Sequence, residues 1–298
     1  MGTTASEVRA DVIGRIITHA TKRLTDDQLA LFKPFVEQYY ADTDPADLTE
    51  RKIADLYGAA MAHLTMATTR EPTEIKVRVY APDLDRYGFV SEHTVVEVVS
   101  DDVPFLVDSV SQELSRHRLG IHLVVHPVLM VSRSSNGQVT AVGGESGLRE
   151  SFIHVEVNRQ TDEEVLEELR SDITRVVGDV MAAVQDWAAM RQKAIDVSDE
   201  LVEARSSALA AGISEDDSRE VAELLRWLAD GHFVFLGYRE YELSDETGEV
   251  MLRARAGSGL GILRQNADRK ATGHNFAKLP PEVRRRALEP VLLNVTKA

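Results

Sequence analysis

The stretch from Thr94 to Ser132 restricts the fold of this chain more than any other. It opens with T-V-V-E-V-V-S, where Val95, Val96, Val98 and Val99 give the β-branched pattern of a mostly buried strand. D-D-V-P-F-L-V-D-S-V-S-Q-E-L-S-R-H-R-L-G follows, with Leu106, Val107, Val110 and Leu114 at the three-to-four spacing of one helix face. Asp101, Asp102 and Pro104 mark the start of that helix, and Gly120 supplies a residue suited to a left-handed C-terminus. I-H-L-V-V-H-P-V-L-M-V-S is again strand-like. Strand, helix and strand joined by short turns predict a βαβ unit with a right-handed crossover.

Ahead of this unit the pattern is helical from Ala5 to about Thr69. Thr25-Asp26-Asp27-Gln28 reads as a capping box and Asp47-Leu48-Thr49-Glu50 as a looser one. Phe32, Phe35, Tyr39 and Tyr40 form an aromatic row that serves helix packing. Glu71-Pro72-Thr73 interrupts the helices, I-K-V-R-V-Y alternates as a strand, and Pro82 to Gly88 is a loop. Beyond the βαβ unit, Ser134-Ser135-Asn136-Gly137 is a hairpin turn between strands. The glycines at 143, 144 and 147 make a flexible loop, and Phe152 to Val157 is a further strand.

From Thr161 the period becomes helical. Leu166, Ile173, Val180, Trp187, Ala194 and Leu201 recur every seven residues, with Leu169, Val176, Ala183, Met190, Val197 and Ala204 between them. A long helix, or two in series, is expected to end at Ala211-Gly212. A second α+β unit then starts at Ser214. It has a helix carrying Val221, Leu224, Leu225 and Leu228, a strand along H-F-V-F-L-G-Y-R-E-Y-E-L, a turn from Asp245 to Gly248 and another strand in E-V-M-L-R-A-R-A. A short helix is expected from Arg284 to Leu288. The expected domains are a helical segment at 1–72, a sheet domain at 73–160 whose second helix runs to about 210, and an incomplete α+β unit at 213–298.

Charge and composition exclude several classes of function. The net charge of −15 disfavours general binding to nucleic acid. The chain has no cysteine, so disulfides and thiolate metal sites are excluded, which suits a reducing cytoplasm. No apolar run approaches the ~18 residues of a membrane span, and no membrane association is expected.

R-E-P-T-E-I-K-V-R-V-Y-A-P, D-D-V-P-F-L-V-D-S-V and H-P-V-L-M-V, followed by D-G-H-F-V-F-L-G-Y-R-E-Y and G-S-G-L-G-I-L, carry a resemblance from about Phe32 onward. In that order they resemble the amino-terminal region of the large bacterial NAD-dependent glutamate dehydrogenases, with its ACT-type regulatory domain. The resemblance implies an α+β fold: a ferredoxin-like βαββαβ unit with an antiparallel sheet, flanked by N-terminal helices and a long helix. It implies a regulatory or assembly fragment of a longer, cytoplasmic, oligomeric enzyme. The full-length protein would convert L-glutamate to 2-oxoglutarate and ammonia with NAD. The fragment alone is expected to hold no cofactor and to have no dehydrogenase activity. Its partners would be the rest of the dehydrogenase chain, further copies of itself and an amino-acid effector. The alternative is a stand-alone ACT-like sensing or oligomerisation module, or a free-standing enzyme of another kind.

Catalytic chemistry is not legible. Gly257-Ser258-Gly259-Leu260-Gly261 has the wrong final spacing for a dinucleotide fingerprint and reads as a turn. His122 and His126 on one strand would lie about 13 Å apart, too far for one ion, and His154 would be needed as a third ligand. No metal is expected. The remaining candidate is the turn that opens the first crossover helix, whose early amides favour an anion. By resemblance, an amino-acid effector would meet Asp101, Asp102, Pro104, Phe105, Asp108 and Ser109. Two aspartates stand where such sites usually carry glycine. The plainer reading makes Asp101 and Asp102 helix caps and Phe105 a core residue.

Overall fold

Side-chain caps set most of the helix starts ahead of the sheet. Thr4 and Glu7 form a reciprocal capping box at α1 (Ala5–Ala20), and Thr25 and Gln28 form the expected one at α2 (Asp26–Tyr39). The looser box expected at Asp47–Glu50 does not form. Asp44 caps there instead, accepting from the Ala46 N–H, with Pro45 at the first position of α3 (Pro45–Thr49). Proline has no N–H to leave unpaired in a first turn, so Asp44-Pro45 starts the helix before Asp47 can. Helix α4 (Ile53–Ala67) begins after Lys52 with no side-chain cap.

The computed structural model describes residues 4–203, 214–245, 250–264, 274–275 and 281–282. The expected break at Ala211-Gly212, the turn after Asp245 and the helix from Arg284 to Leu288 lie outside the described residues. Two compact units divide the chain, Met1–Gly178 and Asp179–Ala298.

The first unit is built on β1 (Lys76–Tyr80), β2 (Thr94–Asp101), β3 (Ile121–Val125), β4 (Val128–Arg133), β5 (Val139–Val142) and β6 (Leu148–Val157). Every pairing is antiparallel, in the order β1-β2-β6-β4-β5, with β3 also on β6. Between β1 and β2 the expected loop contains one helical turn, α5 (Leu84–Tyr87), capped by Asp83 and closed by Gly88. Strands β3 and β4 are the single predicted run, interrupted at His126-Pro127 because proline cannot donate to a ladder. The Phe152 N–H still reaches the Pro127 carbonyl at 3.0 Å, which keeps both halves on β6.

Helix α6 (Leu106–Arg116) joins β2 to β3, which run parallel with β6 between them. The α+β class and antiparallel sheet agree with the ACT-type expectation. The edge place beside β2, which a strand after the second helix would take in a βαββαβ order, is filled by β1 from ahead of the unit. Gly120 does not end α6 as expected. Arg118 takes the left-handed conformation at φ 58°, and the Leu119 N–H bonds to the Leu114 carbonyl at 3.0 Å. Gly120 is instead a place of close approach, where a Cβ would lie 2.6 Å from Asn158 Oδ1. The Ser134–Gly137 hairpin forms as read, with Gly137 at φ 76° and its Cα so close to Arg70 that a Cβ would meet the Arg70 carbonyl at 2.5 Å.

Alternation along β2 and β6 divides the core. Val99 and Phe152 pack with Val12, Ile16, Phe32, Phe35, Val36 and Tyr39 under α1, α2 and α4. The Phe35 and Phe152 rings meet edge-on at 5.3 Å, and Phe152 also meets His63 at 5.2 Å. Val96, Val98, Ile153 and Val155 point the other way and are fully buried. Helix α6 buries Leu106, Val110, Glu113 and Leu114. The predicted long helix is α7 (Glu163–Glu203), continuous over 41 residues. In the first unit its Asp172 binds Arg116 of α6 and the following His117 at 2.6 and 2.9 Å.

In the second unit α7 contributes buried Ala183, Met190, Ala194 and Ser198. Helix α8 (Glu215–Trp227), capped by Ser214, runs into a π-helical turn at Leu228–His232 broken by Asp230 and Gly231. Ser198 Oγ donates to the Ala222 carbonyl at 2.9 Å and Arg191 to the Ala229 carbonyl at 2.7 Å. Short strands follow: β7 (Gly237–Tyr238) pairs with β10 (Leu260–Gly261), and β8 (Tyr241–Asp245) with β9 (Val250–Ala254). The Gly261 N–H donates to Asp186 Oδ2 at 2.8 Å, so the glycine-rich segment is a structural turn here. β11 (His274–Asn275) pairs with β9.

Phe152→Ala removes the ring shared by helices and sheet and is expected to destabilise the first unit by about 3 to 5 kcal/mol in denaturant unfolding.

Candidate functional site

The turn chosen from sequence is held by arginines. Asp101 Oδ1 lies 2.6 Å from Arg70, and Asp102 Oδ2 lies 2.9 Å from Arg149. Arg70 is fully buried and also binds Glu150 at 3.0 Å, and Glu150 is bound by Arg133 at 2.6 Å. Neither aspartate caps α6. Phe105 occupies the N-cap position without a side-chain cap bond. Nor is Phe105 a core residue: it is 51 % exposed, at φ 71°. A non-glycine residue in that region costs roughly 1–2 kcal/mol, and such strain collects at functional turns. Pro104 and Asp108 are exposed beside it, and the Ser109 N–H donates to the Phe105 carbonyl at 3.0 Å. The six residues share one turn, with their acidic members at 101 and 102 already neutralised.

The other concentration of charge lies under α4, where sequence reasoning looked for none. Glu97 of β2 and His154 and Glu156 of β6 face this helix from the sheet, and His63 faces them from α4. Glu97 is fully buried; it accepts from Arg78 and, at 3.1 Å, from the Tyr80 hydroxyl. Glu156 accepts from Arg51 and His93, both at 3.0 Å. His154 lies between the two carboxylates, with Nδ1 3.5 Å from Glu97 and Nε2 3.7 Å from Glu156. His63 Nδ1 meets the Tyr39 hydroxyl at 2.9 Å.

This arrangement separates the two histidines electrically. Burial lowers the His63 pKa to about 4, although Glu97 opposes it, so the ring is neutral at pH 7. Burial would also lower His154, but Glu156 and Glu97 outweigh it and raise the pKa to about 9. Burial pushes the Glu97 carboxyl up, yet His63, His154 and Arg78 hold it at about 2. Glu156 likewise stays at about 2 against burial, through His154 and Arg51.

Among the described residues, two clusters bring ligand atoms within 4.8 Å of one another, His63 with Glu97 and His154, and Glu113 with His117 and Asp172. Neither donor set suits a metal. In the first, His63 is engaged by Tyr39 and Glu97 by Arg78; in the second, Arg116 binds both carboxylates. His122 stacks on His93 at 4.1 Å, and His126 Nε2 meets Ser151 Oγ at 2.7 Å, so the sequence-chosen histidines do not converge with His154. A signal for the buried cluster was present: Glu97 interrupts V-V-E-V-V, and His154 and Glu156 interrupt F-I-H-V-E-V, both runs otherwise apolar.

Glu97→Gln leaves Arg78 and His154 without their partner and is expected to cost about 3 to 5 kcal/mol in denaturant unfolding. The folded pKa of His154 lies above its ordinary 6.5, so its stabilisation is complete below pH 6.5 and is lost as pH rises through about 9. His63 has the opposite sign, and stability falls as pH drops from 6.5 toward about 4. His154→Gln should flatten the alkaline loss measured by unfolding across pH and leave the His63 loss in place.

Comparison with known proteins agrees with the fold. The family described as glutamate dehydrogenase, ACT1 domain, matches residues 35–173. An NAD-specific glutamate dehydrogenase of Halomonas elongata is 34 % identical over 268 residues, covering 88 % of this chain and 16 % of that protein. One of Pseudomonas aeruginosa is 32 % identical over 297 residues, covering 97 % of this chain and 18 % of the relative. One of Mycobacterium tuberculosis is 32 % identical over 210 residues, covering 68 % and 12 %. The chain thus spans less than a fifth of the length of these curated relatives. Residues 35–173 are an ACT1 domain of the glutamate dehydrogenase family, and most of the chain corresponds to the N-terminal region of the large NAD-specific enzymes of that family.

Proposed function

We propose that this chain is a regulatory and assembly region of a cytoplasmic NAD-dependent glutamate dehydrogenase. The full-length protein oxidatively deaminates L-glutamate to 2-oxoglutarate and ammonia, reducing NAD, with the nucleotide and the reacting carbons held by the remainder of the chain. The observation that carries this reading is the ACT1 match over residues 35–173 within relatives more than five times as long. Among the described residues no helix is long and apolar enough to cross a membrane.

The amino-acid effector is assigned to the turn from Asp101 to Ser109. Three features support it: an α6 N-terminus without a side-chain cap, an exposed aromatic in a left-handed conformation, and aspartates held in place by Arg70 and Arg149. The effector's carboxylate would meet the free helix amides and its ammonium group Asp102 or Asp108. Homo-oligomer contacts are expected to complete the site with basic residues of another copy.

The test is glutamate-dependent NAD reduction by the full-length protein, with the standard amino acids added singly at millimolar concentration, alongside light scattering. At least one amino acid should change the rate, and Phe105→Gly should diminish that response while raising the unfolding midpoint by relieving the strained φ. A rate indifferent to every amino acid, in a protein that is monomeric in solution, would overturn the reading.

A further inference from the structure

Strand β1 leaves one edge of the first unit's sheet open. It pairs with β2 alone, and among the described residues Lys76 to Tyr80 make no other main-chain hydrogen bond. Along the free side runs a groove of about 870 Å³, walled by β1, the α5 turn and the first turns of α7. We propose that this edge joins a second copy of the chain. The two β1 strands pair antiparallel about a twofold axis at Arg78, and Glu74 of each copy meets Arg86 of the partner subunit. The inference deepens the assembly reading above by naming one surface for it, and rests on that reading only for the role of the dimer in the dehydrogenase.

Sheet edges that stay single are usually interrupted by a bulge, a proline or a guarding charge. The β3–β6 ladder shifts register between Ile121 and Leu123, and the β4–β5 ladder between Ser132 and Arg133. Strand β1 has no such interruption: it runs in unbroken register from Lys76 opposite Val99 to Tyr80 opposite Val95 and contains no proline. Its charged side chains are engaged elsewhere, Lys76 Nζ on the Met66 carbonyl at 3.3 Å and Arg78 on Glu97. Val77 and Val79 are only half-buried, whereas Val98 and Val96, opposite them on β2, are fully buried. An added strand would satisfy the free main-chain groups and cover the two valines.

Charge selects a second copy as that strand. Residues opposite one another in an antiparallel pair share a face, so a twofold relation between identical strands sets one residue opposite itself. Full overlap of Lys76–Tyr80 makes that residue Arg78, and each Arg78 is already neutralised by its own Glu97. Glu74 precedes the strand at its Lys76 end. Arg86 lies at the Tyr80 end, where Tyr87 stacks on Tyr80 at 4.0 Å. Both line the groove and are exposed, and neither has an oppositely charged partner among the described residues: Glu74 accepts the Glu71 N–H, and Arg86 lies over the Tyr87 ring. The twofold reverses one copy against the other and brings these charges together at both ends. Lys76 follows the same pattern, lacking a carboxylate at one end of the groove, while Asp83 and Glu163 lack a cation at the other.

The experiment measures the mass of the 298-residue chain by light scattering and sedimentation at submillimolar concentration, unaltered and as Glu74→Arg or Arg86→Glu, both changes at exposed side chains. The unaltered chain should be dimeric. Each variant sets like charges against each other and should weaken the dimer about tenfold, with its circular dichroism unchanged. Mixed in equal amounts, the two variants should recover the dimer, because each supplies the charge the other lacks. The proposal is overturned if the chain is monomeric, which would leave the groove to some other extended segment, if neither variant weakens the dimer, or if the mixture fails to recover it. An oligomer indifferent to both variants would remove this surface alone, since the regulatory reading is tested by turnover of the full-length protein.

Discussion

A carboxylate withdrawn from water must be met by positive charge or by hydrogen bonds, and Glu97 imposes that demand at the centre of the first unit. It sits in a strand with neighbours on both sides and a helix above, so every element that covers it has to bring a partner. Strand β1 brings Arg78 and Tyr80, and β6 brings His154. Through His154 the demand passes to Glu156, and from there to Arg51 and His93. Segments far apart in the chain are therefore placed relative to one another by charge as well as by apolar packing. An isolated ion pair of this kind is weak evidence for stability, but a connected set restricts which packings are tolerated.

The same logic operates at the other end of β6. Arg70, buried three residues past the end of α4, joins Glu150 to Asp101, and Arg133 closes on Glu150 from β4. This second group fixes where β2 ends and where the turn toward α6 begins. The proposed effector turn is consequently rigid on its strand side and exposed on its helix side, where Phe105 and the uncapped amides lie. A ligand there would act on a turn already tied to the core. A cavity lined by His154 and Glu156 lies toward the other end of the same strand.

Local patterns in the chain were faithful guides to elements. The seven-residue recurrence from Leu166 to Leu201 became one helix, Thr25 and Gln28 became a capping box, and Ser134 to Gly137 became a hairpin. They misled where two neighbouring signals competed. Asp44-Pro45 displaced Asp47 as a helix start, and Arg118 took the left-handed position expected of Gly120. The ordered motifs also identified the glutamate dehydrogenase family, since their order is a property of sequence alone.

The site was less legible than the fold. The sequence by itself determined that residues 101–109 form a strand-to-helix turn, and that Glu97, His154 and Glu156 interrupt apolar runs. Only the tertiary structure decided that Asp101 and Asp102 are held by Arg70 and Arg149, and that those interruptions meet one another under α4. The reason is range. Caps, turns and heptads depend on residues within a few positions, whereas a buried charge is tolerated only by partners such as Arg51 and Glu156, 105 positions apart, whose meeting no local pattern records.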